Sequence, residues 1–580
     1  MAKGETSPLL GTKHTQYKSS NSDTAIGSSS SSSSSSNKDV DAITIMTSNP
    51  PSIKVVVSET NENPSTGMDD IYKRRLHGAN IYAIFAGIYV AVVLASLDNS
   101  IVATIYPQIG TEFKRSNEII WIATSYMLSF TALQPLYGRI SDVFGRKTAL
   151  LFATIVFFIG SFLCGAASNL WILVIARAIA GVGGGGINCM TTVINADLVP
   201  IRERGKFQSY GNIAFTVGSI LGAPLGGLLN DTLGWRSCFY INLPFLLITI
   251  FIASKLLTNY NLEENTNETF RERLNRIDYA GAITVVVAVI CFLVATSLGG
   301  NIKPWSDPIV LGCFAGAFVF TVLFCIVEAK FALHPLMPWQ IISSRTPFAC
   351  SMVNLWCLMA TNAVIYITPL YFQALLGLSP SLAGIYFTPK IIFVCIGSVY
   401  SGQYMSRVGE FRKITIAAAV LSMVAMFGYT SWTPQTSKIF MLVCLAADGL
   451  AMGIVITAVL IGLHSCVKHS EMATITSMSY LFRSVGGVVG VSLTSAIFQA
   501  VVKNVLVKKI TGPNADLYIE IARKSMTEVR NLLPADILDD VLDSYQIALR
   551  YTYAACAAMS CLTLLSSLFI QGGDLSSRRK

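Results

Sequence analysis

From residue 81 to residue 570 the chain alternates between apolar runs of some twenty residues and short polar connections. A run of that length with few charges spans the roughly 30 Å hydrocarbon core of a bilayer as one helix. Fourteen such runs are predicted: 81–104, 119–138, 148–168, 171–194, 207–229, 237–257, 279–298, 308–328, 348–370, 382–402, 413–432, 439–462, 473–500 and 551–570. Their connections set the topology. Lys73-Arg74-Arg75 precede the first run; Arg202, Arg204 and Lys206 follow the fourth. Arg271, Arg273 and Arg276 follow the sixth, and Arg407, Arg412 and Lys413 the tenth. Lys and Arg collect in cytoplasmic loops, so both chain ends are expected in the cytoplasm. The stretch 501–550 puts several basic residues on the outer side, but long loops weigh little in this rule. Its amphipathic stretches, 517–529 and 535–548, read as short surface helices.

Composition narrows the class. The chain is 52% hydrophobic and 13% charged, with mean hydropathy +0.56. Soluble domains carry about 25% charged residues, so this is a polytopic, all-α membrane protein. The net charge of +9 lies largely in the short inner loops and calls for no nucleic-acid partner. The 13 cysteines include no C-x-x-C pair and read as small packing residues. The five histidines fall in the tail, at span ends or in loops, and none is expected as a buried proton relay. No Ser/His/Asp set, phosphate loop or metal cluster is present, so neither an enzyme nor a cofactor is expected. Driving force must then come from an ion gradient. One pH unit supplies about 1.4 kcal/mol per proton, and 100 mV about 2.3 kcal/mol per charge.

The second and third runs are joined by Gly138-Arg139-Ile140-Ser141-Asp142-Val143-Phe144-Gly145-Arg146-Lys147. A positive-inside loop accounts for Arg139, Arg146 and Lys147, but not for Gly138, Asp142 and Gly145. This G-x-x-x-D-x-x-G-R-K pattern resembles the signature loop of the major facilitator superfamily. An echo, Gly402-x-x-x-Ser406-Arg407-x-Gly409-x-x-Arg412-Lys413, keeps the glycine spacing and follows the second run of a later six-run unit. The expected organisation is a disordered cytoplasmic tail over 1–75, a six-helix bundle over 80–257 and an inserted hairpin over 278–328. A second bundle spans 348–570, with an outer loop over 501–550, and a cytoplasmic tail covers 571–580. Fourteen spans with such an insert resemble the drug:proton antiporter branch. For that branch the resemblance implies a monomer in the bilayer, exchanging a small molecule for protons.

Candidate transport residues lie inside the runs. Asp98, in Leu97-Asp98-Asn99-Ser100-Ile101-Val102, either faces a cavity or partner, or sits hydrated near the outer interface, about six residues from the end of its run. The segment resembles the branch's L-D-x-T-I-V motif, which implies a proton site or a counter-charge for a cation. Arg177, ahead of the glycine run Gly183–Gly186, resembles R-x-x-x-G-x-G, a motif implicated in proton coupling. An arginine keeps its proton, so it would tune a nearby carboxylate or pair with Asp98. Gly218, Gly222, Pro224, Gly226 and Gly227 resemble the antiporter hinge G-x-x-x-G-P-x-x-G-G, with the proline one place late. Asp448 and Lys390 match no branch motif; they pair, contact a zwitterion, or, for Lys390, snorkel to an interface.

Trp121–Ser125, Gln134–Gly138 and Leu221–Gly227 are similar to the fungal vacuolar basic amino acid transporters. The resemblance implies proton-driven movement of Lys, Arg or His from cytosol to vacuole. Glu5-Thr6-Ser7-Pro8-Leu9-Leu10 resembles an acidic dileucine signal, read by sorting adaptors, which fits a vacuolar membrane. The alternatives are a plasma-membrane multidrug:proton exporter and, from another class, a non-transporting nutrient sensor.

Overall fold

The computed structural model describes residues 81–113, 120–259, 272, 278–299, 303–331, 343–378, 380–468, 471–510, 515–524 and 534–572. The tail with Glu5, Leu9 and Leu10 lies outside the described residues. In hydrocarbon each backbone N–H and C=O must be satisfied within its own segment, and apolar runs of this length do so as helices. The chain forms α1 (Ile81–Phe113), α2 (Ile120–Phe144), α3 (Arg146–Ala166), α4 (Leu170–Leu198), α5 (Arg204–Leu233) and α6 (Ser237–Leu256). Next come α7 (Tyr279–Leu298), α8 (Pro308–Lys330), α9 (Arg345–Leu370), α10 (Pro380–Val408), α11 (Arg412–Thr430) and α12 (Lys438–Ser465). The last are α13 (Met472–Lys509), the short α14 (Ala515–Lys524) and α15 (Ala535–Leu568). Side chains satisfy orphan donors at several starts: Asn169 accepts from Ile172 N, Asp278 from Gly281 N and Asp307 from Ile309 N, each at 2.9 Å.

Helices α1–α6 pack on one another, as do α9–α13 and α15. The first group closes over Ile84, Phe85, Leu150, Phe157, Ile187 and Ile194. The second closes over an aromatic knot of Tyr371, Phe372, Tyr429, Trp432 and Tyr553. Between them, α7 touches both α2 and α13 through Ala132, Val285, Val289, Leu293 and Leu481. Its partner α8 buries only Val310 and Ala317 and turns Phe318, Val322 and Ile326 outward.

Twelve described helices are long and apolar enough to cross a membrane, or thirteen when the two halves of α5 count as one span. The expected fourteen is not reached on this measure, because α2 is missing from it. Thr124, Tyr126, Thr131 and Gln134 of α2 line a cavity, and these polar residues lower the helix's mean hydropathy. The stretch expected as an outer loop also differs. Helix α13 runs on to Lys509, and the amphipathic 535–548 segment is the start of α15 rather than a separate surface helix. Leu506, Val541, Tyr545 and Leu549 are buried in the second group's core, and that burial holds the segment in helix.

Candidate functional site

The two groups meet along α2–α13 and α5–α10. Contact at these seams needs glycine. A Cβ on Gly138 would overlap Ser477 Oγ and come within 2.6 Å of the Ala473 carbonyl oxygen on α13. A Cβ on Gly402, its counterpart in the echo, would lie 2.5 Å from Gly205 O on α5. The second glycines are equivalent too. Gly145 (φ 95°) and Gly409 (φ 75°) take the left-handed backbone that lets one helix stop and the next begin at once.

Polar bonds reinforce the same end. Arg146 donates to Asp142 Oδ1 at 2.6 Å and to Asp197 Oδ2 at 2.7 Å. Thr474 Oγ1 of α13 reaches Asp142 Oδ2 at 3.5 Å, while Lys147 Nζ donates to Ser254 O of α6 at 2.7 Å. Ser209 Oγ donates to Ser398 O at 2.6 Å, Asn212 Nδ2 to Ser398 Oγ at 2.8 Å, and Cys189 Sγ lies 3.3 Å from Ser477 Oγ. These contacts lie toward the basic connections 202–206 and 407–413. The groups are therefore closed at the end the charge pattern places in the cytoplasm.

Beyond Gln134 and Asn212 the groups part around a cavity of about 530 Å³, within the range of small-molecule sites. Six amides face it: Asn99, Gln134, Asn188, Gln208, Asn212 and Asn362. Among the described lining residues, Arg483 is the single charge and no carboxylate is present.

Two buried ion pairs stand one residue behind this lining. In the first group Arg177 Nη1 meets Asp98 Oδ2 at 2.5 Å, and Asn242 Nδ2 donates to Asp98 Oδ1 at 3.3 Å. The guanidinium lies 4.1 Å from the centre of the Tyr126 ring, which itself faces the cavity. In the second group Lys390 Nζ meets Asp448 Oδ2 at 2.5 Å and reaches Thr361 O at 3.4 Å. Tyr429 OH donates to the same Asp448 oxygen at 3.3 Å, and Oδ1 is buried without a hydrogen-bond partner. Asp98 adjoins the cavity residue Asn99, and Thr361 adjoins Asn362.

Asp98 is thus neither hydrated near an interface nor in the cavity: it is fully buried against Arg177. It does not reach the cavity as a substrate counter-charge in this conformation, because Arg177 and Asn242 occupy both oxygens. Lys390 does not snorkel, since Asp448 holds it inside. Helix α5 bends 43° between Gly222 and Pro224. Gly218 and Gly222 pack against α1, where a Cβ would overlap Val93 O and Ser100 Oγ respectively. Buried Gly226 accepts a long contact from Cys238 Sγ at 3.6 Å, whereas a Cβ on Gly227 would meet nothing within 4 Å. His464, expected at a span end, is buried, with Nε2 2.7 Å from Thr476 Oγ1. None of the 13 cysteines is in a disulfide. Sequence reasoning missed Asp197 and the six amides; polar residues recurring inside apolar runs were the available signal.

The family pattern of the Major Facilitator Superfamily matches residues 88–491. The multidrug resistance protein fnx1 of Schizosaccharomyces pombe is 34% identical over 504 residues, covering 86% of this chain and 94% of that protein. The vacuolar membrane amino acid uptake transporter fnx2 of the same yeast is 34% identical over 543 residues, covering 93% and 92%. Among solved structures, the human organic anion transporter MFSD10 superposes with TM-score 0.54 at 13% identity, over 86% of this chain and 99% of that one. With the family pattern spanning most of the helical region and two relatives matched almost end to end, this chain belongs to the major facilitator superfamily and is a multi-pass membrane transporter, not an enzyme.

Proposed function

We propose that the chain is a fourteen-span proton antiporter, with α2 as the remaining span, that carries basic amino acids (Lys, Arg or His) from the cytosol into the vacuole. The observation that carries this reading is the cavity: six amides and several hydroxyls surround about 530 Å³, without a carboxylate among the described lining. Amides both donate and accept, which suits an amino acid's ammonium, its carboxylate and the donors of a basic side chain. The similarity to fnx2 supports both the amino acid and the vacuole. The similarity to the multidrug resistance protein fnx1, at equal identity, supports the alternative of a drug transporter. A cationic drug that lacks an acid group, however, would enter a cavity whose one charge among the described lining residues is also positive, whereas a basic amino acid brings a carboxylate that offsets it.

Transport follows by alternating access. The seam held by Gly138, Asp142, Gly402 and Asn212 opens to admit substrate from the cytosol and closes to release it into the lumen. Proton coupling falls to the buried pairs. Asp448 leads, because Oδ1 can take a proton without displacing Lys390 from Oδ2. Protonation would then weaken the hold on Lys390 and on Thr361 behind Asn362.

The test is uptake of labelled Lys, Arg and His by isolated vacuoles with and without a proton-gradient collapser. Gradient-dependent uptake of basic amino acids supports the reading. Absent uptake alongside gradient-driven export of a cationic dye from whole cells would replace it with the exporter.

A further inference from the structure

Arg483 has no role in the mechanism above. It lies on α13, 8% exposed, and faces the cavity. Its Nε donates to Asn354 Oδ1 at 3.2 Å, and Nη2 donates to Ile456 O at 2.5 Å. Asn354 is itself fixed, donating to Ser479 Oγ at 2.9 Å. The Tyr480 ring centre lies 5.4 Å from the guanidinium carbon, and Tyr480 OH is 2.8 Å from Thr192 Oγ1 in the other group. Every named partner of Arg483 is neutral. Three other buried cations meet carboxylates: Arg177 meets Asp98, Lys390 meets Asp448, and Arg146 meets Asp142 and Asp197.

An arginine inside a span is costly, so it is kept where it pairs or serves a pathway. Here two edges of the fork are fixed by neutral acceptors, which orients the group without discharging it. The charge is directed at a space large enough for a small solute and lined by amides. A planar, permanently charged fork is matched by a carboxylate, which can bind it through two parallel hydrogen bonds.

We propose that Arg483 is the anchor for the substrate's carboxylate. The substrate class is therefore an acid-bearing zwitterion, its ammonium and side chain reading the amide oxygens. This rests on the amino acid reading above and deepens it. Tyr480 joins the anchor to the other group: its hydroxyl contacts Thr192 while its ring neighbours the guanidinium. Neutralising Arg483 with substrate thus acts beside the seam that must open and close.

The test uses purified full-length protein in liposomes, with lysine, lysinamide and cadaverine as competitors of labelled lysine uptake. Lysinamide masks the carboxylate and cadaverine lacks it, while both keep the cationic end. In the wild-type protein lysine should compete at least tenfold better than either. Arg483→Gln should raise the KM for lysine tenfold or more, with a smaller change in kcat, and bring lysinamide level with lysine. Arg483→Lys should keep part of the preference, since charge remains and the fork is lost. Equal competition by lysine and lysinamide in the wild type overturns the anchor without needing any variant. So does an Arg483→Gln protein that folds and keeps the preference. Failure of the parent reading looks different: no amino acid is taken up at all. The anchor is then scored with a fluorescent carboxylate and its neutral amide, and equal binding of the two overturns it.

Discussion

Replacing Gly138 by alanine adds one methyl group at the seam that closes the end toward the basic connections, the end proposed as cytoplasmic. The new Cβ would overlap Ser477 Oγ, which can rotate away, and lie 2.6 Å from Ala473 O and 3.0 Å from Ala473 C, which cannot. Restoring ordinary contact of about 3.5 Å requires α2 and α13 to part by roughly 1 Å. Overpacking of this kind costs about 1–3 kcal/mol. It burdens only the conformation in which the helices touch, so the opened form gains about 5–150-fold in relative population. Cys189 reports the change, because it is fully buried at this seam, 3.3 Å from Ser477 Oγ. In a chain with the other cysteines replaced, an impermeant maleimide applied from the cytoplasmic side should label Cys189 faster by that factor. Gly227→Ala is the control, since a Cβ there meets nothing within 4 Å. An unchanged labelling rate in folded Gly138→Ala protein would refute the seam as a gate.

Four further outcomes are expected. Asp448→Asn should flatten the dependence of uptake on lumenal pH, while Asp98→Asn lowers the maximal rate and keeps the profile; the reverse pattern, read in reconstituted vesicles, would move coupling to α1. Lys390→Met should destabilise the protein by about 3–5 kcal/mol because it strands a buried carboxylate, and adding Asp448→Leu should recover much of that loss in thermal unfolding without restoring transport. At the outer end, hydrogen bonds from the Trp235 indole and Arg236 hold the Glu112 carboxyl below its usual range. Its small contribution is present above the ordinary glutamate value of about 4.3 and lost only as pH falls through the lowered one, so Glu112→Gln should reduce Tm at pH 7 and cease to matter in strong acid. Finally, Leu9→Ala with Leu10→Ala should move a fluorescent fusion off the vacuolar membrane; an unaltered pattern would make the tail match accidental.

What could be read from the sequence was what depends on local spacing. The glycine pairs 138/145 and 402/409 stood out because two helix ends must break and approach a neighbour in the same way. The charges of the ion pairs were visible as well, and their pairing stood among the readings left open. Arg177 is 79 residues from Asp98 and Asp448 is 58 from Lys390, and only the bundle brings them together. The cavity was less legible still, since its amides come singly from many helices, each lost in a long apolar run. The polarity that makes α2 a cavity wall is also what drops it from a hydropathy count. His464 does lie at a span end, but its burial was not legible, because nearness to an end says nothing about which neighbour covers it, and α13 covers it through Thr476.

The central claim is exchange of a basic amino acid for protons. It is tested most directly by purified protein in acid-loaded liposomes containing a pH-sensitive dye, with no other ion gradient. Adding external lysine should raise the internal pH as labelled lysine accumulates, and neither change should occur in Asp448→Asn. Lysine that accumulates with no change in internal pH, or internal alkalinisation driven by a cationic drug but not by lysine, would contradict it.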